Sequence, residues 1–345
     1  MFAPKYVITD QLLANIKRIS SLVGDINTRR FPKLVMLEFE RRARAVSAYA
    51  STSIEGNPLP LTEVKKILKS RPENIRDSER EVLNYNQALE SLSKYFESGD
   101  TLLTLPFILH IHKQVVDGLL PDFESGKLRQ KPVIVNDPRT GRAVYWPPDS
   151  EKVEVLMTDL IRFVHDNKNR IDPLILAGIF HKQMVIIHPF MDGNGRTTRL
   201  ATKVLLAQMG LNTFNLFSFE NYYNQNVTKY FQMVGEYGDY NDLIDKIDFT
   251  HWLEYFTGGI IDELLRVSKL LPDRGITPET HLETYHEHIL KHIQQYGYIT
   301  DKTYATFTDR AKATRALDFL KLIKLGLIQR KGKGRSTYYV LKKDE

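Results

Sequence analysis

The chain has 345 residues, 42% apolar and 26% charged, an ordinary globular composition with room for two or three domains of about 100 to 200 residues each. It has no cysteine, which excludes a disulfide framework, a thiolate nucleophile and any cysteine-ligated zinc or iron–sulfur centre. The net charge of +6 suits an anionic partner without requiring one, no apolar run approaches the ~18 to 20 residues of a membrane span, and MFAPKYVITDQ lacks the features of a signal peptide, so a cytoplasmic location without membrane association is expected.

In chain order, apolar residues recur at helical spacing over Gln11 to Val23, Val35 to Ala50, Ser78 to Phe96, Pro106 to Leu119, Ser150 to Asp166, Pro173 to Ile187 and Arg196 to Met209. The class expected is mainly α. Pro106 and Pro173 stand where a first-turn proline belongs, and Gly56 and Gly210 where a helix-ending glycine belongs. Between Lys131 and Pro148, Val133-Ile134-Val135 and Ala143-Val144-Tyr145-Trp146 flank Asn136-Asp137-Pro138-Arg139-Thr140-Gly141, which predicts a β-hairpin. Leu271 to Pro278, with two prolines and a glycine, is the linker candidate; there is no internal repeat and no low-complexity tract.

Between two of these helices lies His188-Pro189-Phe190-Met191-Asp192-Gly193-Asn194-Gly195-Arg196-Thr197-Thr198-Arg199. Physically it describes an anion site with a base beside it. Pro189 ends the preceding helix, because a proline disfavours helical geometry at the residue before it. Gly193 and Gly195 permit positive φ and close approach, so amides at the start of the next helix can face a phosphate with the helix dipole assisting. Arg196 and Arg199, three apart, are expected to project together toward one anion, although cations at a helix start oppose the dipole by about 0.3 to 1 kcal/mol. Asp192 offers a hard oxygen for Mg²⁺, which takes one or two carboxylates plus substrate phosphates. Near neutral pH, His188 is a suitable acceptor for a hydroxyl proton.

At every fixed position this segment resembles the Fic family signature HxFx(D/E)GNGRxxR. Gly126-Lys127-Leu128-Arg129 resembles the family's G-x-[FYL]-R element, and Lys131 to Pro148 its hairpin flap. The resemblance implies that His188 is the base, Asp192 the Mg²⁺ ligand, Gly193, Asn194 and Gly195 the phosphate cradle, and Arg196 and Arg199 the polyphosphate clamp. It implies a flap, residues 131–148, that holds the segment of a target protein by strand pairing. A branch resembling the Doc toxin has Lys in place of the second glycine and transfers a phosphoryl group; Gly195 here leaves room for β and γ phosphates, which points to attack at the α phosphate. Ser51-Thr52-Ser53-Ile54-Glu55-Gly56 resembles the [ST]xxxE[GN] pattern of the family's inhibitory helix, with Ser51, Glu55 and Gly56 as its fixed residues.

Downstream, His281 to Tyr296, Asp301 to Tyr304 and Ala311 to Leu325 read as helices, and Leu327 to Arg330 and Thr337 to Leu341 as strands around Lys331 to Ser336, an order resembling a winged helix–turn–helix. From Lys302 to Lys343, eight Lys and four Arg stand against Asp309 and Asp318, an excess of +10 that suits DNA phosphates, although such domains also dock proteins or dimerise. His110 and His112 read as surface or core residues, and His281, His286, His288 and His292 lack an acidic partner pattern for a metal.

The organisation expected is an N-terminal helical region over 1–100 with the inhibitory motif at 51–56, a Fic helical core with its flap over 101–270, and a winged-helix domain over 278–345. The function implied is Mg²⁺-dependent transfer of AMP from ATP to a Tyr, Ser or Thr hydroxyl of a target protein or of the chain itself, held off by Glu55. The alternatives are removal of AMP with Glu55 orienting a water, and a DNA-binding regulator with a Fic sensor core. A homodimer is compatible with either.

Overall fold

The computed structural model describes residues 2–29, 33–70, 72, 74–97, 103–137, 140–207, 210–211, 217–271 and 282–342. They form two compact units, one of residues 1–27 with 41–271 and one of residues 28–40 with 272–345. The linker candidate after Leu271, and His281, lie outside the described residues.

In chain order the helices of the N-terminal part are α1 (Asp10–Asn27), α2 (Lys33–Ile54), α3 (Leu61–Lys69), α4 (Asp77–Glu97) and α5 (Leu105–Val115). After the short strands β1 (Val135–Asn136) and β2 (Ala143–Trp146) come α6 (Ser150–Asn167), α7 (Pro173–Ile187), α8 (Asn194–Ala207), α9 (Phe219–Gln225) and α10 (Val227–Val234). Strand β3 (Gly238–Asp239), α11 (Tyr240–Leu243) and α12 (Thr250–Leu270) complete the first unit. It spans both the segment before residue 100 and the 101–270 segment, with α1 packed along α12.

The axis of this unit is α7. Leu174, Ile175, Phe180, Met184 and Ile187 are buried around its whole circumference, as expected of a helix apolar on every side. It packs against α6, α8 and α12. Its limits are those the two prolines dictate: Pro173 opens it behind the Asp172 cap, whose carboxylate accepts from the amide of Leu174 at 2.8 Å, and Pro189 follows its end. The helix after it, α8, is buried at Asn194 and from Arg196 through Leu206.

The expected hairpin is present as β1 and β2, antiparallel, with Val135 opposite Tyr145 and Asn136 opposite Ala143. It belongs to a three-stranded sheet in which β3 pairs with β2 in parallel, leaving β1 at an edge. Pro138 and Arg139 at its tip lie outside the described residues.

The second unit contains α13 (Thr284–Tyr296), α14 (Asp301–Tyr304), α15 (Lys312–Lys324), β4 (Ile328–Lys331) and β5 (Tyr338–Leu341). The two strands pair antiparallel around a 3-10 turn at Gly334–Ser336, and Ile299 bridges to Tyr339. Ile289, Leu290, Ile293, Tyr304, Phe319, Leu322 and Ile328 make its core, against which Phe39 also packs. Asp318 is the polar hub. Nearly fully buried, it accepts from Arg310 through both oxygens at 2.8 and 3.0 Å and from the Tyr304 hydroxyl at 2.8 Å, with His286 Nε2 at 3.6 Å. Burial pushes His286 down to about 4, so it is neutral beside this pair.

Removing Asp318 leaves buried donors without an acceptor. Asp318→Ala is expected to destabilise the second unit by about 3 kcal/mol, measured by denaturant unfolding. A loss below about 1 kcal/mol would mean that the core, and not the hub, holds this unit.

Candidate active site

The loop between α7 and α8 is held by a small set of contacts. His188 has φ 50 and ψ 62, the only non-glycine positive φ among the described residues. A β-carbon in the left-handed region costs on the order of 1 to 3 kcal/mol and persists only when its surroundings impose it. Arg129 does so. Its guanidinium, 2% exposed, donates from Nε to the His188 carbonyl at 2.8 Å, from Nη1 to the Lys131 carbonyl at 3.1 Å and from Nη2 to the Pro148 carbonyl. One buried cation thereby ties the turn at His188 to both ends of the flap. Tyr145 of β2 adds a second tie, its hydroxyl donating to the Ile186 carbonyl at 2.9 Å. Burial lowers the Arg129 pKa, yet three carbonyls satisfy its charge.

His112 holds the next stretch. Its ring stacks on Phe190 with centroids 3.8 Å apart, and its Nδ1 accepts from the amide of Gly126 at 3.0 Å. That leaves the proton on Nε2, which donates to the Asp192 carbonyl at 3.0 Å. His112 is thus a core residue that positions the loop. Asn194 closes the loop on itself, donating to the Phe190 carbonyl and accepting from the Phe190 amide, both at 2.8 Å. Its side chain is therefore spent on the loop, and what it can offer a phosphate is its backbone amide. Gly193 has φ 76, and a β-carbon there would stand 2.7 Å from Val116 Cγ1.

The two arginines do not project toward one anion as their spacing suggested. Arg196 turns to carboxylates on its own side, Asp192 at 2.9 Å and Glu81 at 3.3 Å. Glu81 also accepts from Asn57, two residues past Glu55, at 2.7 Å. Arg199, fully buried, faces the end of α2: it donates to Ser51 Oγ at 2.8 Å, to the Ser51 carbonyl at 2.9 Å and to Glu55 Oε1 at 2.6 Å. Burial opposes its charge, but Glu55 and the phenol oxygens of Tyr230 and Tyr85 hold its pKa above the ordinary arginine value. Arg199 Nη1 is buried without a hydrogen-bond partner.

Glu55 sits in the turn after α2, where Gly56 takes φ +92. Its carboxylate lies against the loop so closely that a β-carbon at Gly195 would come within 2.0 Å of Oε1 and 2.9 Å of Arg199 Nη1. A glycine at 195 is what lets carboxylate, guanidinium and helix start share one place.

A cavity of about 330 Å³ opens at this junction, lined by Glu55, His188, Asn194, Gly195 and Arg199, by Asn136 and Asp137 of the flap, and across from them by the segment from Tyr230 to Tyr237. That far wall was not read from the sequence. It is fixed by Lys182 of α7, a buried ammonium paired with Glu236 at 2.8 Å and donating to the carbonyl of Met233 at 3.2 Å. His181, beside it, is neutral by burial and links the Tyr230 hydroxyl to Thr202 on α8, each at 3.1 Å. His188 is half-buried and its pKa falls to about 4, chiefly through burial, so its imidazole is neutral and able to accept a proton at pH 7.

For a metal, Asp192 is the one carboxylate of the loop, its side chain 58% exposed. No group of three His, Cys, Asp or Glu converges among the described residues. A divalent cation here would take Asp192 and complete its shell with substrate oxygens and water, a donor set that fits Mg²⁺.

Residues 102–206 match the model of the Fic/DOC family. Curated relatives named Protein adenylyltransferase Fic, from Aedes aegypti and Drosophila mojavensis, are 27% and 28% identical over 219 and 222 residues, in each case 58% of this chain and 42% of the relative. The matched span is thus well under half the length of those relatives. A crystal structure of a Fic family protein from Desulfovibrio desulfuricans G20 matches with a TM-score of 0.67 at 20% identity, covering 100% of this chain and 99% of that one. Fic-1 from C. elegans matches with a TM-score of 0.59 at 21% identity, covering 75% of this chain and 72% of that one. The structural likenesses establish the fold.

The buried histidines make stability acid-sensitive. His112 and His188 have folded pKa values of about 4, below the ordinary value of about 6.5, so the unfolded chain takes up protons first. Their contribution is complete above pH ~6.5 and is lost as pH falls toward 4. The melting temperature should therefore drop between these limits, and NMR should show both rings neutral at pH 6. Titration of both rings near 6.5 would show that the loop does not bury them.

Proposed function

We propose that this chain, which carries a Fic domain over residues 102–206, transfers AMP from ATP to a hydroxyl of a protein side chain, and that Glu55 holds the reaction off. The observation that carries this reading is a neutral imidazole, His188, in one cavity with the first residues of α8, Asn194 and Gly195, and the buried Arg199.

His188 accepts the proton of the Tyr, Ser or Thr hydroxyl as its oxygen attacks the α phosphorus. The new P–O bond forms while the bond to the β-phosphate bridging oxygen breaks, and pyrophosphate leaves with the electron pair. The amides from Gly193 to Gly195 at the start of α8 face the phosphates, with the dipole favouring negative charge there. Arg199 receives the γ phosphate, while Arg196, paired with Asp192, orients that carboxylate, so that catalysis is positioning and charge stabilisation. Mg²⁺, held by Asp192 and the phosphates, would neutralise charge developing on the leaving group. The target segment extends the flap along the edge strand β1.

The ion pair of Arg199 with Glu55 supports the inhibitory reading, because a γ phosphate and the Glu55 carboxylate need the same guanidinium. Glu55, 28% exposed in the cavity that His188 lines, is also placed to orient a water, which supports removal of AMP as the second reading.

The test is incorporation of labelled AMP from ATP and Mg²⁺ into the chain or lysate proteins. Separating a desolvated charge pair is worth about 2 to 5 kcal/mol, so Glu55→Gly should raise labelling by about 30-fold to several thousand-fold. Adding Arg199→Ala should cancel the gain, and adding His188→Ala should lower it by about 10² to 10⁴. A Glu55→Gly variant that labels no better than the unaltered chain, yet strips AMP from a modified protein more slowly, would select the second reading.

A further inference from the structure

The basic tail invites a nucleic-acid reading, and the structure of the second unit redirects it. Two of its four arginines are consumed internally: Arg310 is bound to Asp318, and Arg315 donates to both oxygens of Asp301 at 2.8 and 2.9 Å. The helix that would read a groove, α15, also presents the wrong chemistry. Phe319 and Leu322 turn inward to the core. On the opposite side Ala313, Ala316, Leu317 and Leu320 are exposed, Leu317 by 63% and Leu320 by 58%. At 100° per residue these four fall on one stripe of about 100°. From Ala313 to Leu320 nothing on that stripe can donate to or accept from a base edge, which is what groove reading requires. The cations sit at its margins: Lys312 on one side, Lys321 on the other, and Lys324 at its C-terminal end.

From this arrangement we infer that the outer face of α15 docks an acidic amphipathic helix of a partner protein. The leucines supply the buried centre of the contact, and the bordering lysines select carboxylates around it. Apolar residues at i, i+3, i+4 and i+7 on one exposed helix face are the pattern along which two amphipathic helices pack side by side. The rim charge decides the occupant. A second copy of the same face would bring lysine rims against lysine rims, and a DNA backbone would leave the leucines in water. Only a segment that is apolar on one side and acidic on its borders satisfies both features.

The full chain is titrated against a fluorescein-labelled 18-residue helical peptide with leucines at i, i+3, i+4 and i+7 and glutamates elsewhere, and in parallel against a 20-base-pair duplex. The peptide should bind in the micromolar range. Leu317→Gln with Leu320→Gln, exposed positions with unchanged helix propensity, should weaken it at least ~10-fold while the unfolding midpoint stays put. Lys321→Glu should weaken it as well and should favour the same peptide with lysines for glutamates. The inference is overturned if the peptide fails to bind, or if the leucine variant binds it as well as the unaltered chain does. It is overturned equally if the face binds duplex steeply with salt in place of the peptide, or if the chain is a dimer that the leucine variant dissolves.

Discussion

A guanidinium with no access to water must find acceptors inside the protein, and the acceptors that Arg199 finds organise the first unit. Arg199 stands in the first turns of α8, where the helix dipole disfavours a cation, and it is fully buried. Ser51 and Glu55 from the end of α2 supply the acceptors, which fixes where α2 must stop and why a glycine follows it. Glycine at 195 follows from the same constraint, since any side chain there would occupy the carboxylate's position. The pair leaves Arg199 Nη1 buried without a hydrogen-bond partner.

The rest of the site hangs on α7. Along one rigid helix, Lys182 fixes the far wall of the cavity, His181 links to α8 through Thr202, Ile186 receives the flap through Tyr145, and His188 ends the helix in a strained turn. Arg129 bridges that turn to both ends of the flap, so His188 and the flap are held in one register. Burial of α7 does double duty: it supplies apolar contacts, and it depresses the pKa of the imidazole at its end.

Much of this was legible because it is local. Pro173 and Pro189 delimit α7 with no tertiary information, and alternation around Asp137 to Gly141 is enough for the hairpin. What escaped is non-local. Strand β3 has two residues and pairs in parallel with β2, so no periodicity announces it. The short helix α3 and the helices from α9 to α12 went unread, although α12 carries part of the core that α1 covers. The divergence of Arg196 from Arg199 was invisible as well. Spacing places them on neighbouring faces, but Glu81 and Glu55, far away in sequence, decide where each one points. Arg129 was noticed only as part of a pattern; its three carbonyl acceptors come from segments that adjacency in sequence does not join.

The central claim is that the Glu55 carboxylate and the γ phosphate compete for one guanidinium. The most direct measurement is the pose of ATP with Mg²⁺ in crystals of the unaltered chain and of Glu55→Gly. The γ phosphate is expected to accept from Arg199 only in the variant, with the α phosphorus then open to in-line attack from the side of His188. An identical triphosphate pose in both crystals, with Arg199 bound to phosphate while Glu55 is still present, would contradict it.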